Sequence, residues 1–195
     1  VGDFDDLARA IPGVPHYEHV RILARTDAAL LRLALGQAVA ARDLLDPSMD
    51  RVVQLAEADV PQPDLIETAA LAHAAFGAAL RDLGQSDAAE QALLVSRELF
   101  EKLPHGRLTP DVRRQAAVVV SQLARYDTDA GRLDEGLELF RQADDELSRL
   151  IADNDADAVS KSALAASCRH WADALFAADR RDEATKQYRR ASDLW

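Results

Sequence analysis

The stretch GRLDEGLELFRQA at 131–143 recurs in outline twice, as GQSDAAEQALLVS at 84–96 and as DRRDEATKQYRRA at 179–191. The copies stand 47 and 48 residues apart. This recurrence constrains the fold more than any other feature, because a chain that rewrites one frame at nearly constant spacing stacks like units instead of wrapping a single centre. In each copy a small residue comes first (Ala89, Gly136, Ala184), a bulky one four later (Leu93, Phe140, Tyr188), and another small one three beyond (Ser96, Ala143, Ala191). Offsets of 0, 4 and 7 fall on one stripe of an α-helix, where small residues admit a neighbouring helix and the large one fills the space between. Twelve residues before each first small position stand Gly77, Ala124 and Ala172, preceded by Phe76, Leu123 and Trp171. The preceding helix therefore carries the matching notch and knob.

Composition agrees with close helix packing. Of 195 residues 48% are hydrophobic but only 5% aromatic, and 8 Gly and 7 Pro leave most of the chain free to propagate helix. The formal net charge of -11 repels phosphate backbones and anionic lipid surfaces, so nucleic acid is not an expected partner. The longest apolar candidate, AALLRLALGQAVAA at 28–41, is broken by Arg32 and Gln37, so direct membrane insertion is not expected. A single cysteine excludes an intrachain disulfide framework. With Val1 in first place and no leader pattern, the chain reads as a segment of something longer.

Helix punctuation is legible. Asp46 with Pro47, and Thr109 with Pro110 and Asp111, have the form of helix starts, and Gly84 and Gly131 mark turns between helices. The expected elements are a short helix at 3–10, a break at PGVP (12–15), and helices near 16–44, 48–59, 63–83, 86–102, 110–129, 133–152, 157–178 and 181–195. No strand is expected. AVVV at 117–120 keeps helical spacing in its flanks.

A knob before a notch, with the small, bulky, small stripe twelve residues on, resembles the tetratricopeptide repeat (TPR). The resemblance implies an all-α solenoid of about eight to nine helices, arranged as antiparallel pairs in a right-handed superhelix whose first helices line a concave groove. On this reading residues 1–195 form one TPR-like domain with a degenerate part at 1–62 and repeats at about 63–103, 110–152 and 157–195. A weaker copy is placed at 29–59, with Leu35 and Gly36 as notch and Val52 and Leu55 as stripe. The period exceeds the usual 34 residues, which implies longer helices. Asp127, where other copies have Leu80 and Leu175, and His73, where they have Val120 and Cys168, are expected to loosen packing locally. The long period, RRQAAVVVSQLARYDTDAGRLDEGLELF (113–140) and DFDDLARAIPG (3–13) also resemble the TPR tails of bacterial serine/threonine protein kinases, although no kinase motif is present.

The resemblance places Arg81, Gln122, Arg125, Arg169, His170 and Asp173 along the groove, with Arg125, Arg169 and His170 as a locally basic pocket suited to an acidic peptide or carboxylate. The alternative is a set of ordinary solvated polar residues. The carboxylate clamp of chaperone-binding members is missing, since Ala74, Ala78, Ala166 and His170 hold its positions, and an apolar groove around Ala74, Ala78 and Phe176 would instead suit an amphipathic helix.

Asp153, Asp155 and Asp157 open like a calcium loop, but Ala158 and Leu164 stand where its glycine and closing glutamate belong. His16, Glu18 and His19 lack a third ligand, and Cys168 reads as a buried, inert thiol. No metal, cofactor or catalytic residue is expected, and the chain is read as no enzyme. The expected function is binding of a protein or peptide partner. The alternatives are a sensory or regulatory domain of a bacterial signalling protein, and a homodimerisation arm. The expected location is cytoplasmic, or extracytoplasmic for the tail of a membrane-spanning kinase.

Overall fold

A computed structural model describes residues 15–56, 62–153 and 158–194. The expected helix at 3–10, most of the PGVP break, Asp155, Asp157 and Trp195 lie outside them. The described residues contain no strand. Their helices are α1 (Pro15–Ala34), α2 (Ala38–Leu45), α3 (Met49–Ala56), α4 (Pro63–Asp82), α5 (Ser86–Glu101), α6 (Pro110–Asp129), α7 (Leu133–Asp153), α8 (Ala158–Ala177) and α9 (Arg181–Asp193). The chain divides into two compact units, Val1–Arg107 and Leu108–Trp195. In the first, α4 pairs with α5 and packs on α1, α2 and α3; in the second, α6 pairs with α7, α8 with α9, and α8 packs on both α6 and α7.

One turn geometry closes every helix pair. Gly36, Gly84 and Gly131 have φ of 71°, 73° and 82°, and Asp179 adopts the same region at 58°. The next amide then donates to a carbonyl five residues back: Gln37 to Arg32 at 2.8 Å, Gln85 to Leu80 at 2.9 Å, Arg132 to Asp127 at 2.8 Å and Arg180 to Leu175 at 2.9 Å. A left-handed residue at this place reverses the chain while satisfying carbonyls that the ending helix leaves open. The turns follow one another at 48, 47 and 48 residues, so the frame is written four times.

This corrects the register of the first copy. Gly36 is its turn, not its notch, and the expected helix at 16–44 is broken there into α1 and α2. Leu35 is 72% exposed. The notch is Ala29 and the stripe is Ala41, Leu45 and Ser48, all fully buried. These occupy the places of Gly77, Ala89, Leu93 and Ser96 one repeat later.

The second helix of this copy is also unusual. Asp46 has helical φ and ψ of -43° and -48°, so it is not the expected cap; Asp46–Ser48 form one turn of 3-10 helix between α2 and α3. Pro47 explains the interruption, since it removes an amide from the helical ladder. Thr109 does cap α6 as expected: with ψ of 160° it is extended, and its Oγ1 accepts the Val112 amide at 3.3 Å.

Small residues set the helix separation. A Cβ placed on Gly136 of α7 would stand 2.5 Å from Thr128 Cγ2 and 2.7 Å from the Ala124 carbonyl oxygen on α6, so only glycine fits the crossing. Around it Ala124, Leu137, Phe140, Leu175 and Ala184 form one buried cluster, against which Trp171 packs. A second joins Ala117, Leu147, Leu150, Leu164, Cys168 and Ala191. The Asp127 carboxylate, at the position expected to loosen packing, bridges the α6–α7 turn to Arg132 at 2.8 and 2.6 Å.

Candidate functional site

Five of the six expected groove residues fall on two packed helices of the second unit: Gln122 and Arg125 on α6, and Arg169, His170 and Asp173 on α8. A buried hydrogen bond from Ser121 Oγ to Ser167 Oγ, at 2.9 Å, fixes the two helices against each other at this level. The sixth, Arg81, lies on α4 in the first unit, with its guanidinium turned onto Asp82 at 3.1 and 2.9 Å.

The five differ in availability. Asp173 already accepts the Tyr188 hydroxyl at 2.5 Å, and this carboxylate contact raises the phenol pKa above its ordinary value. Arg125 is half-buried and Arg169 exposed, and neither forms an ion pair among the described residues. Several other arginines of the unit are held by carboxylate, Arg113 meeting Glu146 at 2.5 Å, Arg190 meeting Asp144 at 2.5 Å and Arg141 pairing with Glu138, while Arg189 on α9 is exposed. Next to Arg125 in sequence space, the Gln122 Oε1 is buried without a hydrogen-bond donor among the described residues. The α6–α8 surface therefore offers two guanidiniums without an ion pair among the described residues.

Tyr188 departs from the stripe pattern. Its equivalents Leu45, Leu93 and Phe140 are buried, yet it is 40% exposed. Phe140 is covered in a way that shows what Tyr188 lacks, since Trp171 of α8 stacks on it with ring centroids 6.1 Å apart and planes 5° from parallel. Beside Tyr188 runs a cavity of about 310 Å³ between α8 and α9, which Arg169 also borders. The Tyr188–Asp173 bond escaped sequence reasoning; the one available signal was the hydroxyl that separates Tyr188 from the other stripe residues.

The remaining sequence candidates resolve individually. Cys168 is fully buried, its pKa pushed up to about 11 mainly by burial, and its thiol points to Asp144 at 3.9 Å, as expected of an inert packing residue. The His19 ring meets Thr68 Oγ1 at 2.9 Å. Among the described residues no three His, Cys, Asp or Glu side chains are grouped to hold a metal ion. Trp171 is a core knob, as its stacking shows, whereas Phe176 is 59% exposed. No helix among the described residues is long and apolar enough to cross a membrane.

Antiparallel helix pairs joined by identical left-handed turns, with a small-residue notch facing a small, bulky, small stripe, define a TPR-like α-solenoid fold. Among solved proteins, MamA matches with a TM-score of 0.50 and 16% identity over 98% of this chain and 84% of that one. A protein from Podosopora anserina, described as a kinesin light chain with nearly identical TPR-like repeats, gives TM-scores of 0.48 and 0.47 in two crystal structures, each at 16% identity over 90% of this chain and 95% of that one. At such identity the MamA likeness speaks for the fold alone. No protein-family model and no curated protein matches the sequence. The narrower resemblance to kinase tails finds no support among these structures.

Proposed function

We propose that the chain is a protein-interaction module whose second unit captures an acidic peptide or protein segment on the α6–α8 surface. The observation that carries this reading is the pair Arg125 and Arg169, which lack ion pairs among the described residues while neighbouring arginines are engaged. A half-buried guanidinium without a counter-charge is a costly arrangement that a carboxylate relieves, and its planar fork favours two-point contact. The fold supports it in general terms, since TPR-like pairs present rigid helix faces.

Proximity labelling in cells, followed by capture on immobilised chain, would test the proposal. Arg125→Glu should lose acidic partners while Arg81→Glu, on the other unit, keeps them. Equal capture by both variants would remove the α6–α8 surface as the binding site.

A further inference from the structure

The fourth helix pair departs from the repeated frame at three positions that meet in one place. Arg169 stands where the other pairs have Thr26, Ala74 and Ser121, Asp173 where they have Leu30, Ala78 and Arg125, and Tyr188 where they have Leu45, Leu93 and Phe140. Arg169 and Asp173 lie four residues apart on α8, the spacing at which an arginine and an acid meet along a helix surface. Arg97 and Glu101 on α5 have the same order and spacing, and their pair closes at 2.8 Å. Arg169 and Asp173 do not pair. The Asp173 carboxylate instead accepts the Tyr188 hydroxyl from α9 at 2.5 Å, and Arg169 has no ion pair among the described residues.

We infer that the Tyr188 hydroxyl is a positioning group: by holding Asp173, it stops the neighbouring carboxylate from neutralising Arg169 and so preserves that guanidinium for an acidic partner. The role rests on the α6–α8 surface being an acid-binding site, and it gives that site a residue that touches no ligand itself. A hydroxyl donating to an ionised carboxylate makes a short, strong bond, whereas the ion pair it displaces is an exposed one worth little in water. The hydroxyl therefore wins the carboxylate while it is present. Packing does not call for it, since Phe140 fills the equivalent place in the third pair with a bare ring and is fully buried. Without the tether, an acid one turn from Arg169 would occupy the partner's place. The three groups belong to a single helix pair, and their bond and spacing involve no residue beyond α9.

Two measurements separate this role from the surface it serves. In the first, with no partner present, the side-chain Nε–Hε NMR signal of Arg169 is compared before and after Asp173→Asn, in the wild-type chain and in Tyr188→Phe. The signal should move far less in the wild-type background than in Tyr188→Phe, where the released carboxylate has turned onto Arg169. In the second, a fluorescein-labelled octaglutamate peptide is titrated with the full chain and its anisotropy read. Tyr188→Phe should bind roughly twofold to fivefold more weakly, the scale of one exposed ion pair. Adding Asp173→Asn to Tyr188→Phe should restore at least the wild-type affinity. The inference is overturned if the Arg169 signal responds equally to Asp173→Asn in both backgrounds, if Tyr188→Phe binds as the wild type does, or if its defect survives Asp173→Asn. Octaglutamate bound equally by the wild type and Arg125→Glu would remove the α6–α8 site and the use of the hydroxyl with it, a failure told apart by an Arg169 signal that still follows the expected pattern.

Discussion

His73 stands on α4 where later pairs have Val120 and Cys168, and it is buried with neither ring nitrogen hydrogen-bonded among the described residues. Burial pushes its pKa down to about 4 from 6.5, against an opposing pull from the Asp50 carboxylate. With the folded value depressed, the unfolded chain binds the additional proton first. Stability is therefore intact above about pH 6.5 and is lost as pH falls toward 4, by on the order of 3 kcal/mol at 1.4 kcal/mol per pH unit. His73→Val, which copies Val120, should flatten this part of the profile and add about 1–3 kcal/mol at neutral pH by removing two unsatisfied nitrogens. Urea unfolding at pH 7, 5.5 and 4.5 checks both, and parallel losses in the two proteins would exonerate His73. Glycine is the other residue on which packing turns. Gly136→Ala should destabilise by about 2 kcal/mol, because overpacking against the Ala124 carbonyl outweighs the roughly 1 kcal/mol that alanine gains in a helix. Gly77→Ala should cost less than Gly136→Ala, since a Cβ there meets the Leu93 side chain at 3.0 Å and the Ala89 carbonyl oxygen at 3.2 Å, looser contacts than those at Gly136. Thermal melts of the two variants side by side would expose a wrong assignment of the close crossing.

At the scale of the helix pair, the fourth turn is the weak copy of a good design. Asp179 holds φ of 58° where three glycines do so freely, and a side chain in the left-handed region costs roughly 1 kcal/mol. Its ion pair with Arg181 is too exposed to offset that, at 81% and 75% side-chain accessibility. Asp179→Gly should raise stability by about 0.5–1 kcal/mol, and a lower melting temperature would contradict the turn argument. The second, third and fourth pairs were legible in sequence because each has a bulky residue before its notch. The first was misread for the same reason: Leu35–Gly36 imitates that dipeptide, while the true notch, Ala28–Ala29, has no bulky partner. The 48-residue interval from Gly36 to Gly84 was the signal that separates a turn from a notch. Site residues were legible as types on a helix face, but not their state. Whether Asp173 is free depends on Tyr188, fifteen residues away on another helix, and whether Arg81 is free depends on the rotamer that turns it onto Asp82.

For the whole molecule, the division into Val1–Arg107 and Leu108–Trp195 changes what a point mutation should do. In a single-centred domain a strained crossing destabilises everything together, but in a stack of like pairs stability is a sum of local terms and damage stays near its origin. Gly136 lies deep in the second unit, where the α6–α7 crossing supports the Phe140 cluster and, through Trp171, the seat of α8. Hydrogen–deuterium exchange of Gly136→Ala should therefore speed up across α6–α9, with amides of α1 and α4 retaining native protection. His73→Val should act in the opposite place and sense, slowing exchange in α4 and leaving α8 unchanged. If Gly136→Ala instead accelerates amides throughout residues 15–194 by one common factor, the two units unfold as one, and the repeated frame has built a single cooperative body.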